Sequence, residues 1–251
     1  MTILRSRFIT GEVIENHSWT ERLLSLRIRA DQLPFKAGQF VRLQLPVDGE
    51  LVAKSYSLVN APDEPDIEVF YNRVPSGQFS NRLAGLQTGD AIEVSQPAHG
   101  FFVLDEIPTA RHLWMFATGT GLGPYISILK TADVWERFEQ VVLIHGTALS
   151  KERVYPDQIE KWQENNPGRF QFVSCVTREQ NSSGLQGRVT DLLTGGDLEK
   201  QVGLEISKEN SHVMLCGNHN MIEDMKTSLA ERGMSKHLRH KPGHITTEQY
   251  F

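Results

Sequence analysis

Three glycines at alternate positions, Gly119, Gly121 and Gly123, follow an apolar run at 113–117 and precede a helix-like segment that begins at Pro124. The apolar run is short enough to be one buried strand. A strand that ends in a glycine-rich turn and opens a helix is a layout that binds phosphates and nucleotides, because glycine lets the backbone turn sharply and approach a ligand closely. The spacing differs from the Rossmann fingerprint, which has two residues before its third glycine. A tight strand–helix connection without a ligand is the alternative interpretation.

Strand and helix candidates alternate through the second half of the chain. The predicted strands are 113–117, 141–145, 170–176 and 212–216, and the predicted helices are 124–130, 156–165, 189–193 and 221–232. Strands that alternate with helices form a parallel sheet through right-handed crossovers. Ligands of such sheets bind at the carboxyl ends of the strands, so we expect a site near the glycines.

The first half of the chain contains short segments rich in β-branched and aromatic residues, separated by turn residues. We predict strands at 11–16, 23–29, 39–45, 55–59, 67–72 and 91–95, and one short helix at 79–86. Strands at this spacing favour an antiparallel barrel or sandwich. The predicted organisation is therefore an all-β domain at 1–104, a linker at 105–110 and an α/β parallel-sheet domain at 111–251.

Composition narrows the classes of function. The chain has 251 residues and a formal net charge of −5, which disfavours a general nucleic-acid binder. No apolar run approaches the ~18 residues of a membrane span, and Arg5, Arg7 and Glu12 interrupt any signal-peptide core. We expect a cytoplasmic protein, and its two cysteines, Cys175 and Cys216, fit that compartment. No spacing of Cys or His predicts a metal site, and no Gly-x-Ser-x-Gly elbow predicts a hydrolase.

Four short motifs carry a family resemblance. Lys54-Ser55-Tyr56-Ser57 resembles the Arg-x-Tyr-Ser flavin motif of the ferredoxin–NADP⁺ reductase family, and Gly77-Gln78-Phe79-Ser80 resembles its flavin pyrophosphate turn. Residues 118–124 resemble its NADP turn, and Cys216-Gly217-Asn218 resembles its nicotinamide corner. Further stretches at 34–40, 100–104 and 242–244, and the terminal pair Tyr250-Phe251, are similar to the bacterial ferredoxin/flavodoxin–NADP⁺ reductases, so the resemblance covers nearly the whole chain.

This resemblance implies a fold and an activity. The fold is an amino-terminal antiparallel six-stranded β-barrel that binds FAD, followed by the α/β domain that binds NADP. The implied enzyme transfers hydride between NADP(H) and the flavin, and single electrons to or from flavodoxin or ferredoxin. We expect a monomer that binds neither nucleic acid nor membrane. The acidic partner is expected to dock near Arg239 and Lys241, within a basic stretch at 236–241. A solvated loop without a docking role is the alternative interpretation of this stretch.

The resemblance also implies the FAD site. Tyr56 offers a flat ring to the isoalloxazine, although packing within the barrel is its alternative role. Lys54 departs from the family arginine, and lysine is a flexible point charge rather than a bidentate fork. The expected FAD residues are Lys54, Ser55, Tyr56, Ser57, Phe70, Tyr71, Asn72, Gly77, Gln78, Phe79, Ser80, Thr120 and Phe251.

The NADP site follows in the same way. Ala148 stands where the related reductases have an arginine, so one contact to the 2′-phosphate is missing, while Arg178 and Arg188 match two others. We therefore expect NADPH to be preferred over NADH, less sharply than with three arginines. The expected NADP residues are Thr118, Gly119, Gly121, Gly123, Pro124, Thr177, Arg178, Arg188, Cys216, Gly217 and Asn218. Ser57, Thr120 and Cys216 are the expected catalytic residues.

Two other functions compete with this hypothesis. The first is a free-flavin reductase or an oxygenase reductase component on the same fold. An iron–sulfur domain, common in the latter, needs more than two cysteines, and a free-flavin reductase would lack the phosphate turn at 77–80. The second is a nucleotide-binding module without catalysis, which a flavin bleached by NADPH would exclude.

Overall fold

A computed structural model describes residues 7–31 and 33–249. The chain forms two compact units. The first unit comprises Met1–Val103 and Gly123–Thr131, and the second comprises Leu104–Leu122 and Ala132–Phe251. The sequence-based boundaries place 123–131 with the second half instead, so the two divisions differ in that segment.

The first unit contains one antiparallel sheet of six strands. They are β1 (Arg7–Ser18), β2 (Leu23–Arg29), β3 (Phe40–Val47), β4 (Glu50–Ser57), β5 (Ile67–Asn72) and β6 (Ala91–Gln96), with the short helix α1 (Gln78–Ala84) between the last two. The strand order is β4-β3-β6-β1-β2-β5. The two outer strands, β4 and β5, approach each other just beyond β4, where Leu58 and Val69 form an antiparallel bridge, so the sheet curls into the predicted six-stranded barrel.

The alternation of side chains along these strands builds the barrel core. Val13, Leu26, Val41, Leu43, Val69 and Val94 are fully buried within one apolar cluster. Each belongs to a strand whose intervening residues are mostly polar or exposed, which is the period-two pattern of a sheet with one buried face.

Helix α2 (Gly123–Leu129) packs within the first unit. Its Ser127 hydroxyl donates to the Asn60 carbonyl at 2.7 Å. The Tyr125 ring lies 5.5 Å from that of Phe102. These contacts explain why 123–131 groups with the barrel although it directly follows the glycine turn.

The second unit contains a parallel sheet of six strands in the order β10-β9-β8-β7-β11-β12. The strands are β7 (His112–Thr118), β8 (Gln140–Thr147), β9 (Phe170–Val176), β10 (Leu185–Gln186), β11 (Ser211–Gly217) and β12 (Ile245–Gln249). The helices are α3 (Ala132–Arg137), α4 (Pro156–Asn165), α5 (Val189–Thr194), α6 (Asp197–Val202) and α7 (His219–Glu231). The four central strands are nearly continuous runs of buried residues, as expected when helices cover both faces.

None of the helices among the described residues combines the length and the apolar character that crossing a membrane requires. The two-domain fold predicted from the sequence, an antiparallel barrel and a parallel α/β sheet, is confirmed.

Candidate functional site

A cavity of about 390 Å³ opens in the second unit at the carboxyl ends of the parallel strands, where the topology predicts a ligand. Five of the predicted NADP residues line it, namely Thr118, Gly119, Thr177, Arg188 and Asn218. Its volume falls within the range of small-molecule and cofactor pockets. Pyrophosphate-sized groups can therefore reach the glycine turn.

Close backbone contact joins the glycine turn to the end of β11. Gly217 has φ +132°, and a Cβ atom there would lie 2.2 Å from Thr118 Oγ1. The same hydroxyl oxygen accepts the Asn218 N–H at 2.9 Å. A Cβ on Gly121 would lie 2.4 Å from the Cys216 carbonyl oxygen. The predicted turn and the predicted Cys-Gly-Asn corner are thus in contact, and only glycine fits at 121 and 217.

Asn218 is the N-cap residue directly before helix α7. Its side-chain oxygen accepts the N–H groups of Asn220 at 2.9 Å and Met221 at 3.4 Å, which is an N-cap arrangement. Its side chain therefore stabilises the helix while the residue also forms part of the cavity wall.

Of the two arginines predicted for the NADP site, Arg188 lines the cavity and Arg178 does not. Arg188 is exposed, precedes α5 as its N-cap and lines the cavity. Arg178 is exposed on the loop after β9, and its backbone N–H donates to the Ala148 carbonyl at 2.9 Å, but it is not among the residues that line the cavity. Among residues 7–31 and 33–249, neither guanidinium has an ion pair, so both charges are available to an anion.

Two carboxylates, those of Glu152 and Asp224, line the same cavity. Neither was predicted from the sequence as a site residue. Glu152 Oε2 accepts the N–H groups of Ala148 at 2.9 Å and Leu149 at 3.1 Å, so this carboxylate folds back the loop after β8. The sequence does carry a signal for the position of Asp224. Residues 220, 221 and 224 share one helix face directly after a strand end, and all three line the cavity.

The remaining predicted residues of this half lie outside the cavity wall. Thr120 is half-buried in a 3₁₀ turn, Gly119–Leu122. Gly123 and Pro124 are buried at the start of α2. Cys216 is fully buried, and so is Cys175, whose thiol pKa burial raises to about 12. The roles of Thr120, Gly123, Pro124 and Cys216 toward a ligand remain predictions.

Three aromatic rings meet in the first unit where the barrel closes. The ring of Tyr56, near the end of β4, lies 6.2 Å from Tyr71 in an edge-on arrangement and 6.2 Å from Phe79 with nearly parallel planes. Tyr56 is half-buried, and burial raises its pKa to about 12. Burial also raises the pKa of Tyr71, whose hydroxyl donates to Asn16 Oδ1 at 2.9 Å. Tyr56 therefore packs against the barrel while part of its ring stays accessible.

The residues of the predicted flavin motif on β4 differ in their exposure to solvent. Lys54 and Ser55 are exposed, whereas Ser57 is buried. On β5, Phe70 is buried and Asn72 is exposed. The accessible groups of this motif are thus a cation, a hydroxyl and part of the Tyr56 ring.

The turn before α1 is fixed by side-chain hydrogen bonds. The Ser80 hydroxyl accepts the Val74 N–H at 3.0 Å and donates to the Gly77 carbonyl at 3.1 Å. Asn81 donates to the carbonyls of Val74 and Gly77, both at 2.9 Å. Phe79 is buried, and Gln78 is exposed and donates to Asp48 at 2.6 Å. The Ser80 hydroxyl is thus engaged within the turn. Phe251, the last predicted FAD residue, lies outside the described residues, as does Tyr250.

Comparison with protein families defines the class. The Oxidoreductase FAD-binding domain model matches residues 11–102, and the Oxidoreductase NAD-binding domain model matches residues 115–227. The chain is thus an oxidoreductase built from a FAD-binding and an NAD(P)-binding domain, in agreement with the sites described above.

Similarity to individual proteins defines the family. The flavodoxin/ferredoxin–NADP reductase of Escherichia coli is 44% identical over 245 residues, which are 97% of this chain and 99% of that protein. The ferredoxin–NADP reductase of Pseudomonas aeruginosa is 32% identical over 256 residues, with 98% of both chains covered. A crystal structure of a ferredoxin NADP⁺ reductase from Neisseria gonorrhoeae with bound FAD and NADP superimposes with a TM-score of 0.93 at 30% identity, covering 98% of this chain and all of that one. The chain belongs to the flavodoxin/ferredoxin–NADP reductase family, and the predicted resemblance is confirmed.

Proposed function

We propose that this protein oxidises NADPH through a bound FAD and passes the electrons singly to flavodoxin or ferredoxin. The observation that carries the proposal is the cavity beside the glycine turn, because it brings Arg188, which has no ion pair among the described residues, to the same wall as Thr118 and Gly119. FAD, when bound, supplies the conversion between a two-electron hydride and single electrons. The protein supplies binding, orientation and electrostatics.

On the nucleotide side, each group has a separate task. The backbone of 118–121 and the start of α7 at Asn218 hold the phosphates, because both stand at the carboxyl edge of the sheet. Arg188 binds the 2′-phosphate, for which a guanidinium fork is suited. Arg178 adds long-range attraction from its exposed loop. Glu152 and Asp224 lower the positive potential of the cavity, and Ala148 adds no charge, so the preference for NADPH over NADH is moderate.

On the flavin side, the accessible part of the Tyr56 ring would bind the isoalloxazine, and Tyr71 and Phe79 hold the Tyr56 ring in place. Lys54, which is exposed, supplies a positive charge to the pyrophosphate. By family resemblance, Ser57 would present its hydroxyl to the reacting edge of the flavin, although this side chain is largely buried. Thr120 and Cys216 complete the expected set by shaping the space for the nicotinamide.

The activity is tested with the purified holoprotein under anaerobic conditions. We expect a yellow protein whose flavin absorbance is bleached by NADPH and restored by oxidised flavodoxin or ferredoxin. A protein that loses its flavin on gel filtration and reduces only added free flavin would instead be a flavin reductase. A colourless protein that binds NADP⁺ without oxidising NADPH would be a binding module.

The preference for NADPH is tested by steady-state kinetics with both nicotinamides. We expect a higher kcat/KM for NADPH than for NADH. Removal of the guanidinium in Arg188→Ala should lower kcat/KM for NADPH by about tenfold and change that for NADH by less than about twofold, because only NADPH carries the 2′-phosphate. Arg153→Ala is the matched control, since this exposed arginine donates to the Ser183 hydroxyl and does not line the cavity. Equal losses with both nicotinamides would remove Arg188 from phosphate recognition.

The partner docks on the basic segment 236–241. Leu238 and Lys241 exchange two backbone hydrogen bonds of 2.9 Å, so Arg239 and His240 form the tip of a tight turn. Arg239 also pairs with Glu106, which offsets its charge. The proposed attraction for an acidic partner therefore depends more on Lys241, which is exposed, than on Arg239.

A further inference from the structure

A buried histidine lies directly beneath the glycine turn. His145 is only 1% exposed, near the carboxyl end of β8, and it pairs in register with Ala117 of β7. Its Nε2 atom lies 3.0 Å from the carbonyl oxygen of Gly119. A carbonyl oxygen can only accept, so Nε2 carries the proton and donates it. The ring thus links β8 to the first residue of the turn.

The ring is held in one protonation state. Its other nitrogen, Nδ1, is buried and has no hydrogen-bond partner among the described residues. In the neutral tautomer this atom is an acceptor, whereas protonation would create a buried, unpaired N–H donor and a buried charge. Burial accordingly lowers the pKa of His145 to about 4. The donation to Gly119 is therefore present across the neutral pH range.

The hydrogen bond fixes the direction of one peptide group of the turn. Gly119 has φ +53°, in the left-handed region that favours glycine. Because a trans peptide directs its C=O and N–H in opposite directions, a fixed Gly119 carbonyl also fixes the direction of the Thr120 N–H.

We infer that His145 is a positioning residue for the nucleotide: by holding the Gly119 carbonyl, it fixes the backbone of the glycine turn that lines the cavity and receives the phosphates of NADPH. Gly119 lines the cavity, while His145 does not reach it. The histidine acts through the turn and touches no ligand. This inference rests on the proposed function, because it assumes that the cavity accepts NADPH.

Three substitutions at the same position separate the hydrogen bond from the packing. His145→Leu removes the donor, and we expect the KM for NADPH to rise by about tenfold, the effect of one hydrogen bond. His145→Gln carries an amide at the reach of Nε2 and should restore the KM to within about threefold of the wild type. His145→Asn places its amide near Nδ1, too short for Gly119, and should keep the raised KM. In all three, kcat at saturating NADPH and the FAD content should stay near those of the wild type.

His212→Leu is the matched control. This histidine is also 1% exposed, and its Nε2 atom lies 2.8 Å from Thr246 Oγ1. It lies near the amino end of β11, whereas the glycine turn lies at the carboxyl ends of the parallel strands. Its removal should lower the melting temperature without changing the KM for NADPH. If His145→Leu does not fold, the comparison of Gln with Asn still decides. Equal KM values for these two, or an equally raised KM for His212→Leu, would overturn the inference, whereas a wild type that fails to oxidise NADPH would overturn the proposed function instead.

Discussion

Gly217 is a residue at which the structure tolerates little change. A Cβ atom there would lie 2.2 Å from Thr118 Oγ1 and 2.7 Å from the Thr118 carbonyl oxygen. The second of these atoms belongs to the backbone of a central strand and cannot rotate away. The φ of +132° adds conformational strain for any other residue.

We expect Gly217→Ala to lower the free energy of unfolding by about 3 kcal/mol, the cost of overpacking combined with an unfavourable φ. Urea denaturation would measure this loss. Gly203→Ala is the matched control, because Gly203 also has a positive φ, +69°, but a Cβ there meets nothing within 4 Å. That variant should lose only about 1 kcal/mol. Equal losses would show that φ alone, and not the contact with Thr118, constrains Gly217.

The side chain of Lys54 is expected to affect the affinity for FAD rather than the stability of the fold. It is exposed on β4, and a lysine gives a phosphate a single point of charge, whereas arginine can donate two parallel hydrogen bonds. We expect Lys54→Arg to bind FAD about threefold to tenfold more tightly. Titration of both apoproteins with FAD, followed by flavin fluorescence, measures the difference. Equal dissociation constants would mean that the side chain at position 54 does not contact the pyrophosphate.

At the scale of elements, the basic turn 236–241 is expected to affect the rate at which the partner protein is reduced. Lys241→Glu should slow reduction of flavodoxin or ferredoxin by about tenfold at low ionic strength, and less at high salt, because screening removes the attraction. Arg239→Glu should have a smaller effect on docking, since this arginine is already paired with Glu106.

Two measurements decide whether the turn is the docking site. Reduction of a small neutral dye should be unchanged in Lys241→Glu, because the dye needs no charged docking surface. Lys161→Glu, at an exposed position of α4, controls for the change in net charge. If Lys161→Glu slows the carrier protein as much as Lys241→Glu, the effect belongs to the overall charge, and the basic turn loses its role.

Elements with a strong pattern were predicted from the sequence, and weakly patterned ones were not. β9 and α4 have the predicted bounds, because one is a continuous apolar run and the other begins at Pro156 with helical periodicity. β12 was missed because Ile245–Gln249 is short and mostly polar, as suits a strand at the edge of the sheet beside β11. β1 extends further than predicted, from Arg7 to Ser18, and a register shift between Val13 and Glu15 interrupts its alternation.

At the scale of the whole molecule, the sequence predicted five of the residues that line the cavity but not its full wall. The glycine turn was predicted from its spacing of glycines, and Arg188 from the family resemblance. Glu152 and Asp224 come from a folded-back loop and the middle of a helix, and only tertiary folding brings them to the cavity. His145 was equally hidden, because a histidine at the end of an apolar strand does not show which carbonyl it will meet. Local patterns predict elements, whereas the balance of charge in the cavity depends on contacts between distant segments.

The stability of the second unit should depend on pH through its buried histidines, chiefly His145 and His212. Burial also lowers the pKa of His112. Burial lowers the pKa of His145 to about 4 and that of His212 to about 3. An unfolded chain binds protons at histidine near pH 6.5, so between that pH and about 4 the unfolded state holds protons that the folded state does not. The free energy of unfolding therefore falls as the pH falls. At pH 5 the loss relative to pH 7 is about 2 kcal/mol for each of the two residues.

Urea denaturation at pH 7 and pH 5 tests this dependence. The carboxylates of Glu139, Glu179 and Glu223, whose pKa values are lowered by their hydrogen bonds to Arg111, Ser150 and Lys226, lose those contributions only below about pH 4.5. The window between pH 5 and 7 thus isolates the histidines. In His212→Gln the difference between the two pH values should shrink by about 2 kcal/mol, whereas His240→Gln, at an exposed turn, should retain the wild-type difference. A His212→Gln variant as acid-sensitive as the wild type would show that this ring does not resist protonation in the folded state.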